Sequence, residues 1–262
     1  VYCHEIGMPP LLLTDAAYQA AYGTTDERFG DVQRIKTATQ NAIYVVWSGW
    51  DGNDYEIFFA EVEVDVAAHS LSVVRTAQLT DNAYDDLSPQ ISESHIAWSS
   101  ANASGKHDIY VQPIATIGTQ APQKISSSDY DSYDPEISGD KIVWHAKTGA
   151  STDIFLWDGT ETRQVTANGA GNAAPHIDGN HVVWQALEGN DFDIFLYQID
   201  AQQTRQISTS SGDDITPRVS GDSVVWQGGT NGNRDIFLYN IADGGAPANI
   251  SNTYGVDGQP QI

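Results

Sequence analysis

Ala174-Pro175-His176-Ile177-Asp178-Gly179-Asn180-His181-Val182-Val183-Trp184, followed by Asp193-Ile194-Phe195-Leu196-Tyr197 and then Gln206-Ile207-Ser208, is the stretch that decides the fold. Val182-Val183-Trp184 and Ile194-Phe195-Leu196-Tyr197 are short runs of β-branched and aromatic residues between turn formers, the composition of strands. Asp178-Gly179-Asn180 supplies the positive φ that a tight hairpin needs. The closing run is short and polar. A unit of this kind is a four-stranded antiparallel meander.

The unit recurs along the chain. Pro89, Pro135, Pro175, Pro217 and Pro260 are spaced by 46, 40, 42 and 43 residues. Seven residues after the aliphatic position that follows each of the first four stands Trp98, Trp144, Trp184 or Trp226, and an acid opens the next apolar run at Asp108, Asp153, Asp193 or Asp235. A divergent first copy runs from Arg34-Ile35 through Trp47 to Glu56, without the proline and with a longer first hairpin. The two middle strands are apolar on both faces, so each sheet is covered on both sides. Four-stranded sheets that need such cover stack radially. The pattern predicts an all-β fold, a β-propeller of four-stranded antiparallel blades. Five blades are recognisable over residues 33–262, after an N-terminal segment at 1–32. The indoles are expected to wedge between neighbouring blades.

The order of polar loop, Asp or Asn, Pro, aliphatic, Ser-Gly-Asp (138–140, 220–222), Ile-Val-Trp (142–144), Asp-Ile-Phe-Leu-Tyr (193–197, 235–239) and a closing Gln-Ile-Ser or Gln-Val-Thr resembles the TolB-type, WD40-like propeller repeat. It is especially similar to the repeats of archaeal and bacterial surface-layer and secreted proteins. The resemblance covers residues 33–262. It implies the propeller fold, and a family that includes periplasmic scaffolds, surface proteins and non-catalytic domains of peptidases.

Both ends carry parts of a blade. Gln259-Pro260-Gln261-Ile262 starts a further copy, and Leu11-Leu12-Leu13-Thr14-Asp15 resembles the closing strand of a repeat, as in Gln78-Leu79-Thr80-Asp81. Three accounts follow: the ends meet as a rudimentary closure, the chain is a piece of a longer protein, or each end completes a sheet of a neighbouring copy. The last rests on strand edges being templates for pairing, with non-closing contacts giving fibres.

The 12 Lys and Arg against 35 Asp and Glu leave a net charge of −23, which argues against nucleic acid as a partner, since phosphate binding depends on cationic side chains. No run approaches 18 uninterrupted apolar residues, so no membrane span is expected. A single Cys and a single Met fit an extracellular or cell-surface protein, with the periplasm as the alternative compartment, and Cys3 has no intramolecular disulfide partner. Cys3-His4 matches only the end of a C-x-x-C-H haem attachment motif, so haem is not expected.

The residues after each proline are polar and differ between copies: Gln90, Glu136, His176, Arg218 and Gln261, with Arg34 in the first copy. Equivalent positions of a pseudo-symmetric ring converge on the central channel, making these the candidate ligand-binding set, for a polysaccharide among other ligands. The loops before the prolines hold Asp85, Asp86, Asp131, Asp134, Asp213 and Asp214, hard oxygen ligands of the kind that hold Ca²⁺. Against this, Asp three or four residues before Pro is placed for an Asx-type turn. The blade-opening acids Glu56, Asp108, Asp153, Asp193 and Asp235 recur in every copy and are expected to accept backbone hydrogen bonds at a hairpin. His145, His176 and His181 are a further metal set if they converge across two blades. Hydrolysis by paired carboxylates needs two placed acids, and Glu136 is the only acid counted in the ring. No G-x-S-x-G, H-E-x-x-H or Gly-rich phosphate loop occurs, so no catalytic residue is assigned and no cofactor is predicted. The expected role is a non-catalytic interaction module, joined to a protein partner or to itself through terminal strands. A polysaccharide-binding or polysaccharide-cleaving propeller is the alternative.

Overall fold

Each blade starts as a hairpin because a β-branched run meets a turn that only a positive φ can close. Gly139, Gly179 and Gly221 take φ of 60°, 55° and 53° at three of these turns. The computed structural model describes residues 2–3, 11–12, 27–36, 41–230 and 232–262. They form five four-stranded antiparallel sheets and one two-stranded sheet.

In the two-stranded sheet, β1 (Tyr2–Cys3) pairs with β2 (Leu11–Leu12). Leu11 and Leu12 thus pair with the chain's own start, and Leu13-Thr14-Asp15 of the expected closing strand, like His4, lies outside the described residues. Blade 1 comprises β3 (Glu27–Lys36), β4 (Asn41–Trp50), β5 (Tyr55–Asp65) and β6 (Ser70–Gln78). Blade 2 comprises β7 (Asp86–Ile91), β8 (His95–Ala101), β9 (His107–Pro113) and β10 (Gln123–Lys124). Blade 3 comprises β11 (Asp131–Ser138), β12 (Lys141–Lys147), β13 (Thr152–Trp157) and β14 (Thr162–Gln164). Blade 4 comprises β15 (Asn172–Asp178), β16 (His181–Glu188), β17 (Asp191–Gln198) and β18 (Gln203–Gln206). Blade 5 comprises β19 (Asp213–Ser220), β20 (Ser223–Thr230), β21 (Asn233–Asn240) and β22 (Ala248–Asn249). Every blade runs inner to outer in chain order. This is the expected β-propeller, and its first inner strand starts at Glu27, upstream of the readable repeat. The chain divides into two compact units, Val1–Pro135 and Glu136–Ile262.

The proline codes for a defect in the inner strand. Ser88, Asp134, Ala174, Thr216 and Gln259, each just before a proline, take left-handed φ of 53°, 48°, 49°, 52° and 56°. Ladder register slips there, between Leu87 and Gln90, Ala173 and His176, and Ile215 and Arg218, giving a β-bulge that bends each inner strand. In β3 the slip falls between Arg28 and Asp31, and Gly30 takes the proline's place. A Cβ on Gly30 would lie 3.1 Å from the Val46 carbonyl, a tight approach.

Trp47, Trp98, Trp144, Trp184 and Trp226 are each about 1% exposed. Each stacks on its cross-strand partner, Phe58, Tyr110, Phe155, Phe195 or Phe237, at 5.8–6.0 Å between centroids. Three of the indoles wedge between blades as the repeat predicts, while Trp47 packs within blade 1. Trp98 packs with Ile57 and Phe59 of the preceding blade, Trp184 with Ile154 and Leu156, and Trp226 with Ile194 and Leu196. Burying an indole contributes roughly 4–6 kcal/mol gross, an upper bound set by an extended unfolded chain.

Candidate functional site

The blade-opening acids are buried in all five copies. Asp108, Asp153, Asp193 and Asp235 accept from the hydroxyls of Ser126, Thr166, Ser208 and Ser251 at 3.2, 2.9, 3.2 and 3.4 Å. Those hydroxyls in turn accept the N–H groups of Ile109, Ile154, Ile194 and Ile236 at 2.8–2.9 Å. Thr80 completes the same relay in blade 1, accepting from the Ile57 N–H at 2.8 Å and bonding Glu56. The acids therefore tie the closing strand to the third strand through side-chain donors, and the backbone acceptance that the sequence suggested is present at two of them, Glu56 Oε1 taking the Asn82 N–H at 2.7 Å and Asp235 Oδ1 the Thr253 N–H at 3.0 Å. The second oxygen is also used. Asn102 Nδ2 and Thr148 Oγ1 donate to Asp108 and Asp153 at 3.0 and 2.5 Å, and Gln206 and Asn249 donate to Asp193 and Asp235 at 2.8 Å each.

One of the expected ring positions, His176, serves as a link between blades. His176 pairs with Val183 and Arg218 with Val225, each just before the blade's Trp, as Gln90 pairs with Ala97. In blade 1 that register belongs to Asp31, opposite Val46, and Arg34 pairs with Ile43 three residues further along. Arg34 is thus not the ring residue of blade 1. Its hairpin ladder is longer than the others, and Val32 and Ile35 both fit the aliphatic position. Asp31 Oδ2 accepts the Ile91 N–H at 3.0 Å and Oδ1 the Val32 N–H at 2.8 Å. His176 Nδ1 accepts the Val219 N–H at 3.2 Å, the corresponding bond one blade to the next. Burial, then the charge of Arg218, pushes the His176 imidazole down to about 4, so the ring is neutral and its Nδ1 free to accept. Arg218 donates to the Pro217 carbonyl at 3.0 Å. Glu136 sits half-buried on β11 and Gln261 is exposed beyond the last strand. His176 and Arg218 are brought together on neighbouring blades. His181 is held by the Gly221 carbonyl at 3.1 Å.

The loop acids are likewise bonded between blades. Asp85, Asp131 and Asp213 accept the N–H groups of Tyr55, His107 and Phe192, all in the preceding blade, at 3.1, 2.8 and 3.3 Å. These long-range acceptors replace the local Asx turn that the offset from proline suggested. Asp131 also bonds Tyr133 and His107; burial raises its carboxyl, but these bonds outweigh it and leave it below the usual range. Asp213 pairs with Arg234 at 3.2 Å. Asp86 and Asp214 are buried beside the indoles, bonded by Asn82 Nδ2 at 2.6 Å and Ser210 Oγ at 3.0 Å, and Asp134 is exposed at its bulge.

The junction of blades 1 and 2 stands apart. Among the described residues, Asp51, Glu56 and Asp81 form the one group of three or more potential ligand side chains, with one ligand atom from each within 4.8 Å of the others. None of the three was in the sequence-derived metal set. The signal was present in the alignment of copies: Asp51, four residues after Trp47, occupies the position of Asn102 and Thr148. Glu56 is fully buried, and burial, then its bond and charge interaction with Asp86, pushes its carboxyl up to about 8. Asp86 is raised by burial as well. An open cleft of about 390 Å³ adjoins the group, lined by Thr80, Asp81, Tyr84, Trp98 and Tyr110. Its counterpart in blade 5, about 220 Å³, is lined by Ser208, Thr209, Asp214, Trp226 and Phe237.

No family model matches the sequence, and no curated protein matches it. The fold has many solved counterparts. A TolB structure from Agrobacterium tumefaciens is 16% identical with a TM-score of 0.51, covering 81% of this chain and 79% of its own. The acylaminoacyl peptidase of Pyrococcus horikoshii is 12% identical with a TM-score of 0.58, over 84% of this chain and 39% of the peptidase. An oligogalacturonate lyase solved with manganese is 10% identical with a TM-score of 0.52, over 87% of this chain and 86% of the lyase. At these identities the likeness is one of fold. The chain has a TolB-like β-propeller fold, and no helix among the described residues is long and apolar enough to cross a membrane.

Proposed function

We propose that the chain is a non-catalytic interaction module of the extracellular space, cell surface or periplasm, joined to a protein partner, in the simplest case a second copy, through an open inner strand. One observation carries this reading. Residues 255–257 lie along blade 5: the Arg234 N–H donates to the Gly255 carbonyl at 2.9 Å, the Asp257 N–H to the Arg234 carbonyl at 2.8 Å, and Gln227 Nε2 to the Asp257 carbonyl at 2.5 Å. Gln259 repeats the left-handed bulge of the complete blades. Among the described residues, no second strand runs beside this segment. A segment held on blade 5 by these bonds, with no further strand paired to it among the described residues, is a surface on which a strand from another polypeptide can add. The surface-layer resemblance of the repeats and the scarcity of oxidisable residues support the compartment. The engagement of Asp31 and His176 in inter-blade bonds favours this reading over the polysaccharide alternative, which draws on the ring positions.

Sedimentation velocity across a hundredfold range of concentration tests the reading, at about 0.15 M salt so that the charge of −23 is screened. Growth of species with concentration is expected, with filaments in negative stain. Gln261→Pro, which removes a ladder N–H without touching blades 1–5, is expected to abolish it. A wild-type monomer at every concentration would refute self-association.

A further inference from the structure

We propose that the strand completing the terminal segment of blade 5 is β6 of a second copy, so that the blade 5 end of one chain docks on the outer edge of blade 1 of the next. The inference rests on the reading above and names the surface that the partner supplies. Exposed apolar residues gather at these two places. Ten large hydrophobic side chains are exposed among the described residues; four (Ile250, Tyr254, Val256, Ile262) fall within 250–262 and three (Val66, Val73, Val74) at the β5–β6 turn and on β6. Such residues scattered singly are ordinary, whereas grouped ones mark an interaction surface. Both places are also poor in acid: residues 66–80 hold no Asp or Glu and residues 244–262 only Asp257, in a chain that has 35. Two copies that each carry −23 repel least where carboxylates are missing.

The strand edges and an uncovered face agree. β6 has nine residues where β10, β14, β18 and β22 have two to four, and among the described residues it ends its sheet with no strand beyond it. A long apolar edge is a template for another strand. Its ladder with β5 slips once, which leaves Val74 opposite no residue of β5 and 56% exposed. On blade 5, Ile236 and Leu238 hold the position at which Ile57 and Phe59, Ile154 and Leu156, and Ile194 and Leu196 lie under the next blade's Trp. Those six are fully buried, while Ile236 and Leu238 are part-exposed. Ile250, whose N–H donates to the Ile236 carbonyl at 2.9 Å, is 54% exposed where its counterpart Ile207 is 7%. Valines of β6 seated on this face give it the apolar cover that the other blades receive. Because the two surfaces differ, the contact is heterologous and extends from copy to copy.

Sedimentation velocity of the whole chain and of single variants at about 0.15 M salt is the test, with thermal melts beside it. Val74→Lys and Ile250→Lys should each raise the concentration at which association sets in about tenfold or more. By charge alone an added cation on so acidic a chain favours association, so a loss points to the apolar contact. Both positions are more than half exposed, and each variant should keep the wild-type Tm. Leu187→Lys, at an exposed apolar residue outside both places, should change nothing. An equimolar mixture of Val74→Lys and Ile250→Lys chains, at a concentration where each is monomeric alone, retains one intact contact per pair and should give dimers and no larger species. If wild type associates and Gln261→Pro abolishes it, yet Val74→Lys associates as wild type does or the mixture stays monomeric, β6 is not the partner and only this inference falls. A wild type that is monomeric at every concentration overturns both.

Discussion

Thr166→Val removes one hydroxyl and keeps the shape of a side chain that is 7% exposed. That hydroxyl donates to Asp153 Oδ1 and accepts the Ile154 N–H, both at 2.9 Å. Loss of the bond to the carboxylate costs about 1.5–3 kcal/mol, and a buried N–H left without an acceptor costs about 1–3 kcal/mol more. The sum is about 2.5–6 kcal/mol, which for a chain of this size lowers Tm by about 5–15 °C. Urea unfolding followed by tryptophan fluorescence, with calorimetry for Tm, measures the loss. Thr166→Ser keeps the hydroxyl and gives up a methyl group, so it should lose about 1 kcal/mol or less. Ser211→Ala, at an exposed loop position, should lose nothing. If Thr166→Val unfolds within about 0.5 kcal/mol of wild type, or if Thr166→Ser falls as far, the relay is not what joins the outer strands and the reasoning fails.

Two further outcomes follow from the inner strands. The His176 imidazole has a folded pKa of about 4 against an ordinary 6.5, so its contribution is fully present above pH 6.5 and is lost as pH falls toward 4. The ceiling is about 3 kcal/mol, and solvent screening of a half-buried ring reduces it to about 1–2 kcal/mol. His176→Gln keeps an acceptor for the Val219 N–H and should flatten the urea midpoint over that interval; an unchanged slope, or a ring titrating near 6.5 by NMR, contradicts this. Thr216 is β-branched at φ 52°, so Thr216→Gly should stabilise by about 0.5–1 kcal/mol by relieving the bulge, and a destabilised variant would show that the bulge is unstrained.

Blade count, strand order and the wedged indoles were legible because one interval, seven residues from aliphatic position to Trp, is set by hairpin geometry and repeats in four copies. Where that interval stretches, the reading slips. Residues 32–45 contain two aliphatic candidates, Val32 and Ile35, and only the ladder places Asp31 opposite Val46. The acids assigned to loops lie on the inner strands, Asp85 excepted, and their partners were not legible because a carboxylate's partner is not a local property. Asp85 reaches Tyr55, 30 residues upstream, and Asp213 reaches Phe192, 21 residues upstream, while the Asx turn inferred from spacing is a contact of near neighbours.

A repeated fold supplies its own control for assigning roles. Where all copies do one job with the same chemistry, as in the acid–hydroxyl–amide relay, the residue is explained by the blade. Where two copies do the same job with different chemistry, as Asp31 and His176 both bind the next blade's amide, variation in sequence is no sign of a ligand site, because any acceptor of suitable reach serves. Only a copy that breaks the local bond pattern without restoring it calls for something outside the blade. Residues 255–257 depart from it, bridged to the third strand of blade 5 and paired with no further strand among the described residues. That departure is a deficit of backbone partners, and the occupant it points to is a strand.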